Sequence, residues 1–173
     1  MRKKRLSAAQ GTQAACILFE LNSRAPAILG MARQALLPEE YLREPGAALL
    51  CDEWRAFIHA VVTAGLMQHA PNSVLLAYLR ETGNLLALDV PQGDVRLEDF
   101  VDGPFARYMP LLAQGRQAQC PELFCTSLAA ALAAARGTAP ALDDRVQARL
   151  AAVMALVISA VWDKLEQYEI LAE

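Results

Sequence analysis

The last apolar segment of the chain, Val146 to Trp162, reads VQARLAAVMALVISAVW, and its final thirteen residues carry no charged side chain and a single hydroxyl. A helix without a polar stripe must be covered on every side, by its own chain, a second copy, a partner or a ligand. The pattern therefore predicts a long apolar C-terminal helix at or near the centre of the fold, with Val157 in its buried middle. Pro140 marks its entry, Asp143 and Asp144 suit the positive end of its dipole, and the run extends to Leu171.

The rest of the chain is also punctuated for helices. Ser7 caps a first helix to about Leu21, and Pro26 opens a second that reaches Leu37, where Pro38 stops it. From Pro45-Gly46 to about Ala70, the residues Leu50, Trp54, Phe57, Ile58, Val61 and Gly65 form one apolar stripe at helical spacing. Asn72 caps a fourth helix that Gly83 is placed to close in a left-handed turn. Pro104 opens a helix to about Gln114, kinked by Pro110, and Pro121 opens another to Arg136, ended by Gly137. In that last one, Ala129–Ala131 and Ala133–Ala135 leave a face of small side chains suited to close antiparallel packing against the C-terminal helix. Residues 83–103 read as an irregular connection, with a β-hairpin around the PQGD turn at 91–94 as the alternative. The whole is an all-α, compact single-domain bundle of about 6–8 helices over residues 7–173, preceded by a basic disordered tail at 1–6.

Composition agrees with that fold. Hydrophobic residues make up 55% of the 173 and charged ones 20%, above and below the usual shares, with Ala and Leu in excess and β-branched and aromatic residues sparse. A chain of this length folds with about 70% of its surface buried and needs no staples. The net charge is −3, but Arg2, Lys3, Lys4 and Arg5 hold four of the sixteen basic residues, leaving twelve against nineteen acidic ones, or −7, for the body. An acidic body excludes an extended nucleic-acid surface. Beyond the tail, Lys164 is the single lysine against eleven arginines, a skew that with so much alanine fits a GC-rich bacterial coding sequence. The unbroken apolar run Ala14–Phe19 is too short for an export signal, and thirteen uncharged residues fall short of the roughly 20 that cross a bilayer. The expectation is a soluble cytoplasmic protein with no membrane span, its cysteines at 16, 51, 120 and 125 kept as free buried thiols.

Candidate chemistry is thin, and the sequence assigns no catalytic residue, metal or cofactor. Glu98, Asp99 and Asp102 resemble, over five residues, the aspartate-rich motif of prenyl-transferring enzymes; Asp143-Asp144 lacks the third acid that a matching second cluster would need. Neither His59 nor His69 has an acid three residues before it, and no Cys-x-x-Cys pair exists, so carboxylate-bridged and zinc sites are not expected. Asp52, Arg55 and His59 stand at i, i+3 and i+7 and form a polar face opposite the Trp54 stripe. Cys120, just before Pro121, is placed as a helix N-cap, where the dipole favours thiolate.

Two functional classes fit these residues best. One is a noncatalytic protein working through protein contacts, as an adaptor, chaperone-like partner or regulator, self-associating as a homodimer. The other is a sensor of small apolar ligands with a cavity between the 46–70 and 141–171 helices, lined by Trp54, Met67, Met154, Trp162 and Tyr168. An enzyme of unidentified type is a third.

Overall fold

The computed structural model describes residues 2–85 and 104–172, and seven α-helices account for most of them. Helix α1 spans Ala8–Asn22 and opens on a capping box: Ser7 Oγ accepts from the Gln10 amide at 3.2 Å, and Gln10 Oε1 accepts from the Ser7 amide at 3.0 Å. Helix α2 spans Ala25–Gln34 with Pro26 in its first turn, and it closes through Leu36 at φ 60°, which lets the Leu37 amide reach the Ala32 carbonyl at 3.1 Å. Helices α3 and α4 span Gly46–His69 and Asn72–Leu85, the latter running through Gly83 instead of ending there. The single kinked helix expected from Pro104 is instead a 3-10 turn, Pro104–Arg107, followed by the short α5, Met109–Ala113, with Pro110 in its first turn where no donor is lost. Helix α6 spans Cys120–Arg136 and ends on Gly137 at φ 89°. Helix α7 spans Asp144–Glu166 behind an Asp143 cap whose carboxylate accepts from the Val146 amide at 3.0 Å. The connection carrying Glu98, Asp99 and Asp102, and the alternative hairpin, lie outside the described residues.

The centre belongs to α3, not to the C-terminal helix. All eleven residues from Ala56 to Leu66 are buried, and α1, α2, α4, α5, α6 and α7 all pack against α3. Helix α7 buries a single stripe, Val146, Leu150, Met154, Ile158, Val161 and Leu165, and leaves Val157 half-buried at its edge. Trp54 donates to the Asn22 carbonyl at 3.1 Å and packs on Phe57 and Phe124, with ring centroids 5.3 and 5.7 Å away. Where α7 crosses α3, Gly65 lets it in. A Cβ at Gly65 would lie 2.7 Å from Leu165 Cδ1 and 2.9 Å from Trp162 Cδ1, while the Trp162 indole donates to the Val61 carbonyl at 2.9 Å. Gly65→Ala is therefore expected to destabilise the protein by about 1–2 kcal/mol in denaturant titrations, because overpacking outweighs the roughly 1 kcal/mol gained in helix propensity.

Both ends of the chain depart from the helical expectation. Lys4–Leu6, read as part of a disordered tail, form strand β1, and Tyr168–Ile170, read as the end of the last helix, form strand β2. They pair in parallel, Lys4 against Tyr168 and Leu6 against Ile170. The Lys4 amide reaches the Gln167 carbonyl at 3.0 Å and the Leu171 amide the Leu6 carbonyl at 2.9 Å. Leu6 and Ile170 are buried, with Ile170 seated over Gly11 of α1. The Arg5–Glu169 pair at 3.4 Å joins two exposed side chains and adds little.

Candidate functional site: the outer face of the last helix

The uncharged stretch of α7 is built for two environments. Inward it presents large residues, Leu150, Met154, Ile158 and Val161; outward it presents Ala148, Ala152, Ala155, Leu156, Ser159 and Ala160, all exposed. Leu156 is 71% exposed, the most exposed large hydrophobic residue among those described. Charges return only at the ends of this face. Arg145 and Arg149 stand at the N-terminal end and Asp163 and Glu166 at the C-terminal end, all exposed, and none makes an ion pair among the described residues. From Arg149 to Asp163 the face runs fourteen residues, about 21 Å at 1.5 Å each. By length and composition, Gln117–Arg136 and Asp144–Glu166 are each apolar enough to cross a membrane, against the expectation from the thirteen-residue run alone.

The five residues expected to line a ligand cavity have different settings. Trp54 and Met154 are buried in the core, Trp162 lies on Gly65, Met67 is 49% exposed, and Tyr168 lies on β2 beneath the Lys164 ammonium, 5.5 Å from its ring centre.

The expected polar face on α3 is taken apart by the helices that cover it. Asp52 is exposed, Arg55 donates from Nε to the Ser23 carbonyl at 3.0 Å, and His59 is fully buried between α1 and α4. Its Nδ1 lies 3.0 Å from the Tyr78 hydroxyl and its ring meets Phe19 edge-on at 5.7 Å. Burial pushes the His59 imidazole down to about 3, so it is neutral at physiological pH, and its packing is that of a structural residue.

A polar group missed in the sequence sits one residue from that face. Glu53 is 7% exposed, its Oε1 accepts from the Tyr108 hydroxyl at 2.5 Å and its Oε2 from Arg107 Nη2 at 2.8 Å. Burial, and then the Glu53 charge, raise the Tyr108 hydroxyl well above its ordinary value, which keeps it a donor. Glu53 stands three residues after Leu50 and four before Phe57, on the apolar side of the helix, and that placement was the available signal, since buried carboxylates require partners. The arrangement ties the turn before α5 to the central helix.

Cys120 is not an N-cap. A 3-10 turn, Gln117–Gln119, precedes it, Gln119 takes the cap position, and burial raises the Cys120 thiol to about 11, which disfavours thiolate. Cys16, Cys51 and Cys125 are likewise buried and free. The Cys16 thiol donates to Glu81 Oε2 at 3.4 Å and, through burial and that carboxylate, is pushed up to about 12. Among the described residues no three His, Cys, Asp or Glu side chains converge as metal ligands would. No family model, curated protein or solved structure matches this chain.

Proposed function

We propose that the protein works through protein contacts, with a second copy of itself as partner and the outer α7 face as the pairing surface. The observation that carries this reading is the charge pattern at the ends of that face. If two copies of α7 pair antiparallel about a two-fold axis midway between Ala155 and Leu156, Arg145 of each stands opposite Glu166 of the other, and Arg149 falls one residue from Asp163, within reach of its carboxylate. Ala152 then faces Ser159 and Ala155 faces Leu156, so small residues let the backbones approach while Leu156 fills the space beside the axis. Four ion pairs would flank a patch that carries none. The same charges argue against a bilayer as the occupant, because the 21 Å between them is shorter than the roughly 30 Å hydrocarbon core. Direct packing at Gly65 lends no support to a ligand cavity between α3 and α7.

The test is sedimentation equilibrium over a concentration series. The wild type is expected as a dimer, Leu156→Glu as a monomer of unchanged helicity, and Arg149→Glu as a weakened dimer that Asp163→Arg restores in the double variant. A wild type that stays monomeric at every concentration, or that partitions into neutral vesicles instead of pairing, would falsify this reading.

A further inference from the structure

We infer that the hollow between the start of β1 and the end of α7 is a binding site for a phosphate-bearing anion. Pairing of β1 with β2 holds Arg2, Lys3 and Lys4, which open the chain, beside Lys164 near the C-terminus of α7, and the four surround a hollow of about 480 Å³ walled by Tyr168. Glu166 is the single carboxylate on its rim. Like charges gathered this closely repel one another, and the arrangement is unfavourable until an anion enters. None of the four cations has a carboxylate partner among the described residues, although Arg5, the next residue along, does in Glu169. The contrast with the rest of the molecule is sharp, since the chain outside residues 2–5 carries twelve basic against nineteen acidic residues.

The hollow is of the size of small-molecule sites and larger than a lone phosphate needs. Three lysines and an arginine present many donors without a fixed fork, which suits the several oxygens of a polyphosphate or a phosphorylated headgroup better than a single planar carboxylate. Free polyphosphate and the headgroup of an anionic lipid share that chemistry. The site adjoins the outer α7 face at Glu166, which pairing would engage, but its four cations take no part in that pairing, so the inference does not rest on it.

Calorimetric titration of the full chain with inorganic tripolyphosphate tests the inference, alongside flotation with phosphatidylcholine vesicles containing or lacking phosphatidylglycerol. The wild type is expected to bind tripolyphosphate with an affinity that falls as salt rises. Lys4→Gln and Lys164→Gln are each expected to weaken binding about tenfold. Both side chains are exposed, and an unchanged melting temperature in the absence of ligand shows that the fold is retained. Binding confined to phosphatidylglycerol vesicles and lost in the double variant assigns the site to a headgroup. Failure to bind either probe, or binding that both variants retain in full, overturns the proposal.

Discussion

Lowering the pH from 6.5 to 4 is expected to remove about 3 kcal/mol of stability through His59 alone. In the unfolded chain the imidazole takes up a proton near pH 6.5, whereas burial depresses the folded value to about 3. A depressed folded value means that the stability is fully present above pH 6.5 and is lost as the pH falls. Between the two values the unfolded state holds one more proton, and stability declines by roughly 1.4 kcal/mol per pH unit. The side chain meets Tyr78 and Phe19. Urea titrations from pH 7 to 4 on the wild type and His59→Gln check this, because the variant keeps a polar partner for Tyr78 but does not titrate. Its slope is expected to be shallower by about 1.4 kcal/mol per unit; equal slopes in the two proteins would show that His59 is protonated while folded.

Glu53→Ala is expected to cost about 3 kcal/mol. Removal of the carboxylate leaves the buried Tyr108 hydroxyl with no acceptor, a penalty of about 1–3 kcal/mol. Arg107 adds less, since its side chain is 44% exposed and can turn to water. The Glu53 methylenes contribute the remainder, since the side chain is 7% exposed and its removal leaves space beside Tyr108. Tyr108→Phe alone is expected to cost about 1 kcal/mol, and the two substitutions together less than their sum, with a coupling of about 1–2 kcal/mol. Strict additivity in thermal or urea unfolding would mean that the 2.5 Å contact contributes nothing in solution.

The helical architecture was legible because its signals are local. Ser7, Pro26, Asp143 and Gly137 each act on the backbone within a turn of themselves, and each is found at a helix end. Which helix takes the centre was not legible from the absence of charge. Segment 150–162 and segment 56–66 are both uncharged apart from His59, but the first, Leu156 aside, spends its outward positions on Ala and Ser, which lose little by meeting water, and the second has Val, Ile and Phe around its circumference. Side-chain volume, not the missing charge, decides that contest. The strands escaped notice because three residues are too few to show a period of two, and the pairing joins positions at opposite ends of the chain. Of the polar candidates, Asp52, Arg55 and His59 were grouped by one helix's periodicity, whereas their surroundings are set by α1 and α4, which periodicity within α3 does not encode.

The parallel pairing of β1 with β2 also determines how the molecule bears tension. Pulled apart at its two ends, the chain draws β1 backward and β2 forward along the same axis, so the strands must slide past each other and cannot peel. The bonds from Lys4 to Gln167 and from Leu171 to Leu6 then carry the load together, with Ile170 wedged over Gly11 as a detent. The helices between them feel no force until that short ladder shears.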